Sequence, residues 1–279
     1  MKSPAELAAE QAAFWNGAGG AGWLAAYQRI ERSLEPFTGP LLEAAAARPG
    51  EQVIDIGCGT GGTTAALAAR VAPGGHVLGV DISQRLIEVA RGQGLANASF
   101  AAGDAAAHRF PVHGADLVFS RFGVMFFGDP VAAFRNFHQA LKPAARLAFI
   151  CWRTAQENPW GLLPVRAAAP FLPPLPRPGP EEPGQYAFGD RARIERILGQ
   201  AGFSSLDIEP IDRPVWMGPS VEEIVEGSTR FGPLAKAFAE AEPAAAGKAR
   251  QAIAEAVAPH ATTGGVALPG ACWLVRARA

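Results

Sequence analysis

Residues 53–62 read Val53-Ile54-Asp55-Ile56-Gly57-Cys58-Gly59-Thr60-Gly61-Gly62, and no other stretch constrains the fold as much. A β-branched apolar run carrying one acidic residue, Asp55, gives way to a glycine turn. Glycine takes backbone conformations closed to other residues and lets a ligand approach the main chain. A helix is expected from Thr63 onward. Strand, glycine turn and helix in this order form the ligand-binding corner of an open α/β sheet.

The glycines alone leave two readings open. Gly57, Gly59 and Gly62 fit the spacing of the dinucleotide motif G-x-G-x-x-G, which would suit an NAD(P)-linked oxidoreductase. A pyrophosphate is anionic and seeks a helix N-terminus, and a carboxylate at Asp55 would repel it. Asp55 suits a cationic ligand instead, such as an amino acid's ammonium group. A second run, His76 to Val80, ends in Asp81, at the distance where an acidic residue takes ribose hydroxyls. A third, Ala98 to Ala102, leads to Gly103-Asp104-Ala105, and a fourth spans Ala115 to Ser120. Asp81 as a helix N-cap and Asp104 as a turn cap are the structural alternatives.

These four stretches, in this order, resemble the class I S-adenosylmethionine-dependent methyltransferases, and among them the quinone-biosynthesis C-methyltransferases and their small-molecule relatives. The resemblance covers about residues 50–152 and resumes weakly at the C-terminus. It implies an α/β, Rossmann-like fold: a seven-stranded, mostly parallel sheet with helices on both faces, an N-terminal helical cap and a helical insertion. It implies S-adenosylmethionine as cofactor, leaving as S-adenosylhomocysteine. Gly57, Gly59 and Gly61 would line the methionine part, with Cys58 a small filler of that loop and Asp55 near the ammonium. Asp81 would take the ribose hydroxyls and Ile82 the adenine face. Gly103, Asp104 and Ala105 would meet the adenine edge, while Ser120 and Arg121 border the methionine end. Where relatives have Leu-Lys-Pro-Gly-Gly, this chain has Leu141-Lys142-Pro143-Ala144-Ala145, which puts a tight glycine turn there in doubt.

Composition excludes other classes. Net charge is -1 and only 18% of residues are charged, so no basic face for nucleic acid is implied. Cys58, Cys151 and Cys272 show no metal-ligand spacing, and an odd, scattered set points to a reducing cytoplasm. No apolar run approaches the length of a membrane span, and the N-terminus lacks the continuous apolar core of a signal peptide.

The remaining segments are expected to surround the core, residues 49–152. Residues 1–48 read as a helical cap. Ser3-Pro4-Ala5-Glu6 is a capping box, Gly17 to Gly22 break the helix, and a second helix aligns Trp23, Tyr27, Ile30 and Leu34. A helix from Val131 to Leu141 is expected to precede a fifth strand, Arg146 to Trp152. Residues 153–189 are proline-dense, Pro173, Pro174 and Pro176 included, and read as a lid. Residues 190–216 return to the sheet, with Asp190 capping a helix that stops at Gly202. Residues 217–265 form a helical insertion carrying Ile224, Phe231, Leu234 and Phe238, open to lining a pocket or a homodimer face. Residues 266–279 supply the last strand.

A pocket for a small, fairly apolar acceptor is expected from Trp15, Trp23, Tyr27, Phe122, Met125, Phe126, Trp152 and Trp160. The cap, the segment after the fourth strand and the proline-dense stretch are expected to converge over the methyl group. No side chain announces itself as catalytic, and no metal is implied. A sulfonium is an activated donor, so alignment of the reactants does much of the work, and a base matters only where the acceptor must lose a proton. Of the histidines, only His260 is placed to face a pocket. Arg121 is a candidate to orient an anionic acceptor. A non-catalytic S-adenosylmethionine-binding protein is the alternative outside enzymes.

Overall fold

The computed structural model describes residues 2–175, 179, 181–230 and 232–279, so Pro176 and Phe231 lie outside the described residues. The chain opens with α1 (Pro4–Asn16), α2 (Ala18–Ala25) and α3 (Tyr27–Ala45). There follow β1 (Gln52–Ile56), α4 (Gly62–Val71), β2 (His76–Asp81), α5 (Gln84–Arg91), β3 (Ala98–Ala102), β4 (Ala115–Arg121), α6 (Pro130–Ala140) and β5 (Leu141–Trp152). The second half comprises α7 (Pro159–Ala168), α8 (Arg191–Ala201), β6 (Ser204–Gly218), α9 (Val221–Arg230), α10 (Ala235–Glu240), α11 (Pro243–Val257), β7 (Ala261–Thr262) and β8 (Gly265–Arg278).

The strands form one sheet in the order β3-β2-β1-β4-β5-β8-β6, with the two-residue β7 attached to β8. Strands β1 to β5 pair parallel, while β8 runs antiparallel to both β5 and β6. The order turns back on either side of β1, and that reversal opens a crevice at the carboxyl ends of β1 and β4. Val53, Ile54, Val77, Leu117, Phe119 and Phe149 are buried, as parallel strands covered on both faces require. Asp116 is structural: it accepts the Gln52 N–H at 2.9 Å and pairs with Lys142 at 2.7 Å.

Helix α1 starts as expected. Ser3 and Glu6 close a capping box, and Glu6 accepts the Ser3 N–H at 2.7 Å. The expected break at Gly17–Gly22 is confined to Gly17, because α2 runs through Gly19, Gly20 and Gly22. Packing overrides the weak helix propensity of these residues: Gly20 is buried, and a β-carbon there would stand 2.0 Å from the Trp15 carbonyl oxygen and 3.1 Å from Ser83 Oγ. Helix α3 buries Leu34, Phe37, Leu41 and Leu42. Its Arg32 lies over the Trp216 ring of β6 at 3.8 Å.

Two further expectations shift. The strand after α6 begins at Leu141 rather than Arg146, with an irregular register between Ala115 and Leu117 and Ala144 at φ 60°. The proline-dense region contains a helix, α7, and a second core holds α7, α9, α10 and α11 together through Ala168, Ile224, Leu234, Phe238, Ile253 and Val266. Helix α8 keeps its expected signals, an Asp190 cap on the Ala192 N–H and a left-handed Gly202. Strand β6 is the sheet's outer edge and carries Pro210 and Pro214. No helix among the described residues is long and apolar enough to cross a membrane.

Candidate active site

The crevice is floored by the ends of β1, β2 and β4. After β1 the chain turns at Gly57, φ 67°, whose N–H donates to the Val80 carbonyl at 2.8 Å. Gly57 and Gly123 pass with almost no room between them: a β-carbon on Gly57 would lie 2.8 Å from Gly123 Cα, and one on Gly123 would lie 2.7 Å from the Ile56 carbonyl oxygen. Ser120 supports this contact from behind, donating to the Ile56 carbonyl at 2.7 Å and accepting the Gly123 N–H at 3.2 Å.

At the end of β2, Asp81 accepts the Gly59 N–H at 2.9 Å and the Ser83 N–H at 2.8 Å. Burial raises its pKa, and these two hydrogen bonds oppose the rise. The third loop is tied to the same place, since the Gly103 N–H donates to the Asp81 carbonyl at 2.9 Å. Asp104 caps its own turn through the Ala106 N–H at 2.9 Å and borders the cleft as well. The cap reading made for Asp104 and its place at the cleft are therefore compatible.

The roof comes from two places. Trp15 of α1 and Trp23 of α2 meet edge to face at 5.8 Å, and Trp15 meets Phe126 in the same manner at 5.3 Å. Gly128 lies under α1, where a β-carbon would reach 2.4 Å from the Pro4 carbonyl oxygen. At the back wall, Phe122 holds a left-handed φ of 61°. Its N–H donates to the Ile150 carbonyl at 3.0 Å, and its ring stacks on Trp152 at 4.4 Å.

Of the residues expected at the cofactor, Gly57, Gly59, Asp81, Ile82, Gly103, Asp104, Ala105 and Arg121 border the cleft. Cys58, Gly61 and Ser120 do not, and neither does Asp55, which is fully buried behind the glycine turn. Asp55 Oδ2 accepts from Thr63 Oγ1 at 2.8 Å and Thr64 Oγ1 at 2.7 Å, while Oδ1 is buried with no partner. Desolvation pushes its pKa up to about 6.

Of the residues expected at the acceptor, Trp15, Trp23, Phe122 and Phe126 border the cleft. Met125 is core, Trp152 stands behind Phe122, Trp160 stands behind Trp152, and Tyr27 is 37% exposed outside the cleft. Of the three segments expected to converge, two border this cleft. No described residue of 153–188 or of the insertion borders the cleft, because α7 is held by α11 and β8 in the second core. His260 is absent from the lining as well. Sequence reasoning missed Ala8 and Gln11 on α1, Leu86 on α5, and Gly123, Phe127 and Gly128 after β4. The two glycines carried a readable signal, recurring shortly after a strand end.

This surface fits an adenosyl sulfonium with an amino-acid tail. Two carboxylates, Asp81 and Asp104, stand on one side, and the glycine turn admits close approach.

A family model described as a methyltransferase domain matches residues 47–168. Residues 47–168 therefore resemble a methyltransferase domain, and S-adenosylmethionine is the cofactor that this resemblance and the cleft support. The chain is 37% identical over 131 residues to an aklanonic acid methyltransferase of a Streptomyces species, covering 45% of this chain and 54% of the relative. It is 27% identical over 177 residues to a demethylmenaquinone methyltransferase of Staphylococcus aureus, covering 58% of this chain and 71% of the relative. The chain spans about half the length of the curated relatives it matches above 30% identity. The solved structure of the YcgJ protein of Bacillus subtilis superposes with a TM-score of 0.57 at 18% identity, over 86% of this chain and 97% of that one, and shows the shared fold.

Proposed function

We propose that this protein transfers the methyl group of S-adenosylmethionine to a small, largely apolar acceptor. The observation that carries the reading is one cleft with two unlike halves: Asp81, Asp104 and the glycine turn on one side, and the rings of Trp15, Trp23, Phe122 and Phe126 on the other. The relatives named for aklanonic acid and demethylmenaquinone support an acceptor of that kind. Three unpaired, buried cysteines support a cytoplasmic location.

In this reading Asp81 holds the ribose hydroxyls, Ile82 packs on the adenine, and Gly103 to Ala105 meet its edge. The bound cofactor supplies an electrophilic methyl on a positive sulfur. Asp55 stays buried behind the glycine turn, from where its charge favours the ammonium. The rings of the roof exclude water and hold the acceptor in line, which lowers the barrier by removing its orientational freedom. Among the described residues Arg121 is the one cation on the cleft wall, and it borders the methionine end.

The test is methyl transfer from labelled S-adenosylmethionine across a panel of phenols, quinols, acidic enols and carboxylic acids. Product with at least one apolar member is expected. Binding of S-adenosylhomocysteine with no product from any member would favour a non-catalytic binder. Binding of NADH in its place would overturn the reading.

A further inference from the structure

Arg121 closes β4 at the floor of the cleft, with its side chain only 10% exposed. Two side chains of α3 fix it. Nη1 donates to Thr38 Oγ1 at 2.8 Å, and Nη2 donates to Glu31 Oε1 at 2.5 Å. A guanidinium gripped at both terminal nitrogens has little rotational freedom left, so its remaining surface faces the cleft in one orientation.

Glu31 belongs to no motif and does not border the cleft itself. Its second oxygen, Oε2, points to the first turn of α4, 3.4 Å from where a β-carbon of Gly62 would stand. A carboxylate at a helix N-terminus is stabilised by the helix dipole. Glu31 thus lies beside the start of α4 while it grips Arg121, and α3, α4 and β4 meet around one charge. Asp55 stands close enough to feel that charge, which draws its carboxyl down against the effect of burial. A cation on the cleft wall, with a carboxylate buried behind the neighbouring glycine turn, complements the charges of an amino-acid zwitterion.

Building on the methyltransferase reading, we propose that Arg121 seats the carboxylate of the cofactor's amino-acid end and that Glu31, with Thr38, is the positioning residue that aims it. On this assignment Arg121 is committed to the cofactor and does not orient an anionic acceptor. Selectivity for the acceptor then rests with the rings of the roof.

The experiment compares dissociation constants for S-adenosylhomocysteine and for 5′-methylthioadenosine, which keeps the nucleoside and the sulfur and lacks the amino-acid end. Arg121→Met should weaken S-adenosylhomocysteine about 10-fold or more and leave 5′-methylthioadenosine within about twofold, the scale of one charge-assisted hydrogen bond. Glu31→Ala should act in the same direction by a smaller factor, since Thr38 still holds Nη1. Glu31→Gln, which keeps an oxygen acceptor, should recover part of the loss. Equal weakening of both ligands by Arg121→Met would mean that the ion pair only braces α3 against β4, and would overturn the proposal. A loss confined to Arg121→Met, with Glu31→Ala unchanged, would remove Glu31's positioning role. A wild-type protein that binds neither ligand would overturn the cofactor reading beneath it.

Discussion

The carboxylate of Asp81 accepts the main-chain N–H of Gly59 at 2.9 Å, so the residue at the end of β2 also holds the glycine turn after β1 in place. Its other oxygen holds the Ser83 N–H at the head of α5. Each carboxylate oxygen can accept more than one hydrogen bond, which leaves capacity for a ribose. Asp81→Ala should weaken S-adenosylhomocysteine about 10- to 100-fold, the equivalent of roughly 1.5–3 kcal/mol. It should also lower the melting temperature, because two loop N–H groups lose their acceptor. Calorimetric titration with thermal unfolding checks both. Unchanged affinity in a folded variant would place the ribose elsewhere.

Asp55 predicts a pH dependence of definite sign. Burial lifts its pKa from 3.8 to about 6, so the fold favours the neutral acid. Its contribution to stability is complete below the unfolded value and is lost as pH rises through about 6, with a ceiling on the order of 3 kcal/mol. Asp55→Asn should therefore gain in melting temperature relative to wild type between about pH 4 and about pH 7. An ammonium held on the glycine turn in front of Asp55 would favour the ionised form, so S-adenosylhomocysteine should bind wild type more tightly as pH rises over that range. A flat profile in wild type would separate Asp55 from the ligand.

The rings over the cleft should matter for transfer more than for cofactor binding. Trp15 is in edge contact with both Trp23 and Phe126. Trp15→Ala or Phe126→Ala should reduce the rate of labelled methyl transfer about 10-fold or more through loss of alignment. The dissociation constant of S-adenosylhomocysteine should change by less than about threefold, or roughly 0.6 kcal/mol. Equal losses in both would make the rings a cofactor lid.

Asn16 fastens α1 to the loop beyond Asp81. Its amide donates to the Ile82 carbonyl at 2.9 Å and accepts the Gln84 N–H at 3.0 Å. Helix α1 has no buried residue of its own, and this pair seats it together with the Trp15 ring contacts. Asn16→Ala should speed release of S-adenosylhomocysteine roughly 3- to 10-fold, the worth of one ordinary hydrogen bond. Stopped-flow displacement reads the rate, and an unchanged rate would show that α1 does not gate the nucleoside.

The sheet and half the site were legible because each signal was local. Asp55, Gly57, Asp81 and Gly103 sit at strand ends, and a strand end announces itself within a few residues. Gln11 and Phe127 were not legible, since their place at the cleft follows from how α1 docks on the post-β4 segment. Met125 and Trp152 carried the right chemistry but are buried in the core, Trp152 behind the Phe122 ring. Gly20 was misjudged for the same reason: its helix is made by contact with Trp15 and Ser83, distant in sequence in the second case, and not by propensity. Glu31 had no motif at all, and only the closing of α3 on β4 reveals its partner.

Strand β6 has a consequence for behaviour at high concentration. An outer strand 15 residues long offers a row of main-chain groups on which another chain could add and propagate into fibres. Here that margin carries exposed Pro210 and Pro214, which cannot donate, together with exposed Glu209, Asp212 and Arg213. Replacing the two prolines by Thr would leave the cleft untouched and make the protein prone to aggregation, so these residues guard the chain's solubility rather than its chemistry.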